Sequence, residues 1–429
     1  MRERIAVVDG IRTPMGRMGG KLSEFDADIL GSYIVRELYS NFQDYGQDLS
    51  EVIIGNVAQP AHAANVARVI ALRSNIPINV PAYTVHRNCA SGVEAITSAS
   101  CKILADKADI IIAGGVESMS NIPLLFRSEF KGFMENMLKA RTVSAKLLQL
   151  SKFKLRYLKP VIGLKLGLTD PTCNLIMGDT AEILAKEFNI TRQEQDKFAR
   201  DSHNKAEKAI KGKIFAEEIF PICSNMDQGE MMYDDEGIRK GQNLEALGKL
   251  KPFFDRKNGT VTAGNSSQIT DGAAAVILMK ESRAKELGIK PIGFIRDFSY
   301  SGLDPRRMGL GPAYSIASLL KNNGKSVKDI DLWEINEAFA AQVIACVKAL
   351  NSKKFAIENL SLDEKVGDID PKKINIDGGS IAYGHPVGMT GTRIIIHLLK
   401  SMNRLGKQTS VASLCIGGGQ GAAVLLERK

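Results

Sequence analysis

Two cysteines and one histidine stand where side chains can do covalent chemistry. Cys89 lies in Val85-His86-Arg87-Asn88-Cys89-Ala90-Ser91-Gly92, after an extended segment from Asn79 to Val85 and before an Ala-rich helical run from Val93 to Ala105. At a strand-to-helix turn a thiol meets unpaired N–H groups and the positive end of the helix dipole. Both favour the thiolate, which is the nucleophilic form. The small residues Ala90, Ser91 and Gly92 leave room above the sulfur for a substrate. His385 sits in the glycine-dense loop 378–388 just before a helix, where an imidazole can trade a proton near neutral pH. Cys415 ends an apolar strand and faces the run Gly417-Gly418-Gly419. A thiol there can act as acid or base, and the Gly417 N–H can stabilise an oxyanion. Asn336 and Glu337 fall at a further strand-to-helix junction, where helix capping is the competing reading of Asn336. A nucleophile, a proton carrier and oxyanion donors are the parts of an acyl-transfer site.

Short apolar strands alternating with helices must carry these groups. The pattern predicts strands over 5–8, 51–55, 79–85 and 108–115, the last closed by Gly114-Gly115, and helices over 28–38, 65–73 and 93–105. From Gly293 the rhythm recurs, with strands over 293–298, 331–335, 374–377, 410–414 and 422–427 and helices over 313–320, 338–350 and 387–402. An internally duplicated α/β fold follows. Residues between Asn121 and Gly178 break the alternation. Helices over 180–188 and 192–211 follow, the second opening on the capping-box pattern Thr191-Arg192-Gln193-Glu194.

The composition excludes several classes of protein. With 44% hydrophobic and 24% charged residues among 429, the chain is folded rather than disordered. No apolar run approaches the roughly 20 residues that span a bilayer, and no leader pattern opens the sequence, so a cytoplasmic location is expected. Six scattered cysteines and five histidines form neither a C-x-x-C nor an H-x-x-x-H pair, so neither a metal site nor a disulfide framework is expected. Ten Lys/Arg face two Glu between Asn121 and Leu166, a local charge of +8 out of a net +9. That segment suits a polyanionic ligand, an acidic partner or a membrane surface, with Leu124-Leu125-Phe126, Phe130 and Phe133 among its cations. Its few aromatics are interleaved with Leu and Met, which offers nucleic acid no stacking platform.

Four stretches together resemble the thiolase family, in that family's order: Asn88-Cys89-Ala90-Ser91-Gly92, Asn336-Glu337-Ala338-Phe339, Gly384-His385-Pro386 and Cys415-Ile416-Gly417-Gly418-Gly419. Gly115–Ser120, Met177–Glu182, Ala263–Ser267 through Gly272 and Met308–Pro312 extend the resemblance over nearly the whole chain. It implies a thiolase fold, two duplicated βαβαβαββ halves packed as α-β-α-β-α layers. The halves would be residues 1–120 plus 263–283 and residues 284–429, with 121–262 an inserted loop domain.

The implied activity is cleavage of 3-oxoacyl-CoA by CoA to acyl-CoA and acetyl-CoA in fatty-acid β-oxidation, through an acyl-Cys89 intermediate. His385 would activate the nucleophile and line one oxyanion hole with a water held by Asn336. Cys415 would be the acid/base, and the amides of Cys89 and Gly417 a second hole. Ser267, Met177, Met308, Ala338 and Phe339 would bind CoA, which is a substrate; no further cofactor is implied. Ile176 replaces a histidine found in many short-chain thiolases. With the long basic insert, this points to the thiolase subunit of fatty-acid oxidation complexes, either a homodimer or a hetero-oligomer with a hydratase/dehydrogenase subunit. Two other readings are biosynthetic acetoacetyl-CoA formation and a thiolase-like lipid carrier without catalysis.

Overall fold

A computed structural model describes residues 3–43, 49–225 and 229–429. The first half contains β1 (Ile5–Arg12), α1 (Ala27–Gln43), β2 (Glu51–Gly55), α2 (Val66–Arg73), β3 (Ala82–Val85), α3 (Ser91–Leu104) and β4 (Ile111–Ser118). Helices α4 (Ser128–Lys139), α5 (Val143–Leu150), α6 (Met177–Glu187) and α7 (Arg192–Lys211) intervene before β5 (Thr270–Lys280). The second half contains β6 (Gly293–Gly302), α8 (Gly311–Asn322), β7 (Leu332–Ile335), α9 (Ala340–Leu350), α10 (Thr390–Leu405), β8 (Thr409–Ile416) and β9 (Gln420–Glu427). Short helical turns and small hairpins fill the connections.

The duplication is visible in strand order. Outward from the seam, where β1 pairs antiparallel with β6, the first half reads β1-β5-β4-β2-β3. The second reads β6-β9-β8-β7, the same order of first, fifth, fourth and second strands with the same parallel and antiparallel pairings. In the place of its third strand there is one parallel bridge, Trp333 to Ile374. The strand expected over 374–377 is therefore reduced to a single contact. Asn375 turns left-handed at φ 46°, and its side chain brackets Ile335, accepting from its N–H and donating to its carbonyl.

Period-two alternation sends successive strand residues to opposite layers. On β5, Ala274, Val276 and Leu278 join a central apolar cluster with α3 and α10, whereas Ala273, Ala275 and Ile277 face α1 and α2. On β8, Ala412 and Leu414 join the central cluster, and Val411 and Cys415 face α8 and α9. The result is α-β-α-β-α, with α3 and α10 shared in the middle. These two helices cross on glycines: a Cβ on Gly92 would lie 2.6 Å from Thr392 Oγ1, and one on Gly391 2.7 Å from Val93. The small run Ala90-Ser91-Gly92 thus makes room for α10 and is buried, rather than opening space for substrate. Gly114 and Gly115 likewise do not close β4, which runs on to Ser118. A Cβ on Gly115 would lie 1.9 Å from the Gly388 carbonyl, so its role is close approach of the loop after His385.

An ionic network is sealed under α10. Arg12 pairs with Glu218 and Asp235, both at 2.7 Å, and His397 bridges Glu218 at 3.0 Å and Asp377 at 3.3 Å. Burial works against the His397 imidazolium, but Glu218 and Asp377 outweigh it and push the ring up to about 10. Arg393 pairs with Glu334 beside it.

The segment 121–262 is of two kinds. Helices α6 and α7 contribute buried residues, Ala181, Leu184 and Ala185 packing with Trp333 and Ile335, whereas α4 and α5 bury no residue. Among the described residues no helix is long and apolar enough to cross a membrane.

Candidate active site

Cys89 sits on the turn between β3 and α3, half-buried at the floor of a cavity of about 640 Å³. The residue before it, Asn88, is left-handed (φ 43°), a conformation asparagine tolerates better than most residues. Its Nδ2 donates to the Gly417 carbonyl at 2.7 Å, and Ser91 Oγ donates to its carbonyl at 2.7 Å. The turn is thus fastened on one side to its own helix and on the other to the loop between β8 and β9. That brings the Gly417 N–H and the N–H of Cys89 itself onto the sulfur.

These amides pull the Cys89 thiol down, but its burial is the largest influence, and with the charge of Glu117 it leaves the pKa raised. The expected depression by the helix end is overturned: desolvation of the charged form exceeds what two N–H donors return. A base must therefore take the proton.

His385 is buried and neutral, its pKa held down at about 3 by burial and then by the charge of Arg393. Ser380 Oγ donates to Asn336 Oδ1 at 2.6 Å, which orients the amide so that Nδ2 donates to His385 Nε2 at 3.3 Å. Thr390 Oγ1 lies 2.7 Å from His385 Nδ1 and itself donates to the Pro386 carbonyl at 2.9 Å. This chain of donors puts the ring proton on Nδ1 and the lone pair on Nε2, a tautomer assigned from the network. Asn336 is thus a member of a side-chain relay and not a helix cap.

Cys415, near the end of β8, is fully buried. Burial pushes its thiol well above the ordinary range, and the charges of Cys89 and Cys346 add to that, so it is a protonated acid at rest.

Of the other residues singled out by sequence, Met177 and Gly417 line the cavity with Cys89. The Met177 sulfur lies 3.3 Å from where a Gly417 Cβ would be. Ser267 is half-buried and donates its N–H to the Ala338 carbonyl at 2.9 Å. Met308, Ala338 and Phe339 belong to the packed cluster under the second half-sheet, and neither they nor Ser267, Asn336, His385 and Cys415 are among the residues that line the cavity. The roof comes from the insert, with Ile122, Pro123 and Leu125 on one side and Leu164, Leu166 and Leu168 on the other. Charge marked this segment as suited to a polyanionic ligand, and its apolar residues Ile122, Leu125, Leu164 and Leu166 line the cavity that holds Cys89.

Glu117 and Ser380 escaped the sequence reading because their partners lie on distant segments, whereas Thr390 is only five residues from His385 and was passed over as an ordinary first-turn residue of α10. Among the described residues, Asp26, Asp28 and His62 are the one cluster with metal-ligand geometry. It lies at the start of α1, where Arg73 Nε, 3.0 Å from Asp28 Oδ2, already supplies a positive charge.

Two family models cover the chain: the thiolase N-terminal domain matches residues 5–282 and the thiolase C-terminal domain residues 289–428. The 3-ketoacyl-CoA thiolase of Photobacterium profundum is 40% identical over 426 residues, which is 99% of this chain and 97% of the relative. That of Escherichia coli (strain 55989 / EAEC) is 39% identical over 427 residues, with the same coverage. Among solved structures, human mitochondrial 3-ketoacyl-CoA thiolase in complex with CoA superposes with a TM-score of 0.85 at 36% identity, covering 100% of this chain and 98% of that one. The Bacillus anthracis acetyl-CoA acetyltransferase does so with a TM-score of 0.85 at 35% identity, covering 100% and 99%.

Proposed function

The chain belongs to the thiolase family, and on that premise we propose that it is an acyltransferase that cleaves 3-oxoacyl-CoA with a second CoA, in fatty-acid β-oxidation. The observation that carries this reading is the convergence of the Gly417 and Cys89 amides on the Cys89 sulfur, with the protonated thiol of Cys415 influenced by the same centre.

His385 Nε2 takes the Cys89 proton, and the thiolate attacks the 3-oxo carbon. The charge on the 3-oxo oxygen meets the Cys89 and Gly417 amides, and the imidazolium Nε2–H and the Asn336 Nδ2–H are neighbouring donors suited to the thioester oxygen that gains charge as the C2–C3 bond breaks. The C2–C3 bond breaks, its electron pair goes to C2, and the Cys415 thiol protonates that carbon to release acetyl-CoA. The acyl group stays on Cys89 with its carbonyl oxygen toward the Cys89 and Gly417 amides. An incoming CoA thiol gives its proton to the Cys415 thiolate and attacks the acyl carbon. Shortened acyl-CoA leaves, and Cys89 recovers its proton from His385. Met177 and Ser267 are assigned to the pantetheine path, with Met308, Ala338 and Phe339 as the packing behind it.

The test is CoA-dependent cleavage of 3-oxoacyl-CoA thioesters of several chain lengths, with Cys89→Ala as control. Activity rising with chain length and lost in the variant supports the reading. Activity confined to acetoacetyl-CoA favours biosynthetic condensation, and none at any length favours the carrier.

The insert supports a second assignment, contact with an anionic lipid surface. Phe126 is 60%, Leu138 80%, Leu147 61% and Leu155 82% exposed, beside the segment's ten cations. Phe126, Phe130, Phe133, Phe153 and Tyr157 stack into one aromatic cluster. Basic residues around exposed apolar side chains suit an anionic headgroup layer. Co-sedimentation with anionic vesicles that survives neutralising those lysines would remove this assignment. We assign the chain to the cytoplasm, in keeping with its six free cysteines, and to a homodimer or a hetero-oligomer with a hydratase/dehydrogenase subunit.

A further inference from the structure

Glu117 is a fully buried carboxylate near the end of β4, and the reaction scheme above does not use it. Four N–H donors converge on it. Oε1 accepts from Asn56 Nδ2 at 3.2 Å and from the Ala58 N–H at 2.8 Å; Oε2 accepts from the Val57 N–H at 3.1 Å and the Gly388 N–H at 2.9 Å. The donors belong to two segments that must be kept in register. Val57 and Ala58 form one wall of the cavity over Cys89, and Val387, beside Gly388, lies in its lining too. Gly388 is three residues beyond His385 and is pressed against Gly115 and Glu117 from the other side.

We propose that Glu117 is a positioning residue: its carboxylate pins the loop after His385 and the Val57–Ala58 wall to the end of β4, and sets a negative charge beside Cys89. The proposal rests on the thiolase reading of the site. The charged and titratable groups that bear on Glu117 are Asp271, from the adjacent β5, and Cys89. Burial pushes its own pKa up to about 7, against the pull of the Ala58, Val57 and Gly388 amides. Protonation would replace one acceptor site with an O–H aimed at an N–H, so the clamp is complete only in the ionised state.

The donor geometry makes Glu117→Gln a sharp probe. Each oxygen accepts two N–H groups, so the amide NH2 meets two donors whichever way it turns. The loop carrying His385 must shift. Displacements of about 1 Å near a reacting centre cost on the order of 10²-fold in rate. The lost charge acts the opposite way on Cys89, because Glu117 raises its pKa. The experiment compares wild type and Glu117→Gln in thiolysis kcat and in the pH profile of Cys89 alkylation by iodoacetamide, located by mass spectrometry. A kcat lowered on the order of 10²-fold, together with an alkylation profile moved to lower pH, is expected, whereas Asn56→Ala, which loosens the same clamp but keeps the charge, should leave the alkylation profile where it is. A kcat within a factor of about two of wild type, or an alkylation profile that does not move down, overturns the proposal.

Should that variant fail to fold, Asn56→Ala removes one donor and keeps the charge. It is expected to move the acidic limb of the kcat profile to higher pH, and an unmoved limb overturns the proposal equally. Failure of wild type to cleave any 3-oxoacyl-CoA removes the thiolase reading instead, and the alkylation profile still tests the charge of Glu117 beside Cys89.

Discussion

Asn88 and Gly417 are joined by a hydrogen bond of 2.7 Å that ties the nucleophile's turn, built by the first half of the chain, to the glycine loop of the second. It holds the Gly417 amide over the sulfur. Asn88→Gly keeps the left-handed backbone and deletes the bond. It should lower kcat by roughly 10²-fold, the scale of losing one oxyanion donor, with thermal stability nearly unchanged. Asn88→Ala adds about 1 kcal/mol of backbone strain. Steady-state kinetics and melting curves on the pair separate geometry from strain, and an unchanged kcat in the glycine variant would show that the amide needs no tether.

Ser380 orients Asn336, which in turn donates to His385. Ser380→Ala frees the amide to turn over and present oxygen to Nε2, so kcat should fall by about tenfold or more with KM little changed. Because the hydroxyl acts through Asn336, its loss should have almost no effect in an Asn336→Ala background. Additive effects in the double-mutant cycle would mean that Ser380 acts by another route.

Leu164 lines the roof of the cavity over Cys89. Leu164→Trp fills part of that space with a rigid ring. It should lower kcat/KM for long 3-oxoacyl chains by about 10–200-fold relative to acetoacetyl-CoA, the range open to discrimination in an apolar pocket. Equal losses at every chain length would place the acyl tail elsewhere.

His397 carries the stability prediction. Its folded pKa, raised to about 10, exceeds the unfolded value near 6.5. Its contribution is therefore fully present below about pH 6.5 and is lost as pH rises through about 10. Glu218 is depressed by Arg12 and His397, which outweigh its burial. Its contribution is present above the usual glutamate range and fades as pH falls. Urea unfolding should thus show a decline on the alkaline side. His397→Gln should flatten that decline and cost about 3–5 kcal/mol, because Glu218 and Asp377 are left with less positive charge in a buried site.

The strand-to-helix turn at Cys89, the capping box at Thr191 and the repeated rhythm of the second half were legible because local pattern decides them. Gly114-Gly115 and the segment 374–377 were misread for a common reason. Glycines look like strand ends and Ile-Asn-Ile-Asp looks like a strand, yet the outcome is set by the Gly388 loop in one case and by Asn375 clasping Ile335 in the other. The clamp at Glu117 and the Ser380–Asn336 bond were not legible, since their partners come from segments brought together only by the fold; Thr390 lies within five residues of His385, and only the direction of its side chain was hidden. The direction of the Cys89 shift was misjudged because a sequence displays the amides near a thiol and hides how much water the fold removes.

The seam between the half-sheets also sets a timetable for synthesis. β1 pairs on one side with β5 and on the other with β6, so Ile5 lies between Lys280 and Ile295. At roughly 5–20 residues per second on the ribosome, its neighbours emerge some tens of seconds after it. Until then an apolar strand has both edges open to wrong partners, and His385 and Cys415 arrive later still. A nascent chain of this kind depends on whatever shields that first strand while it waits.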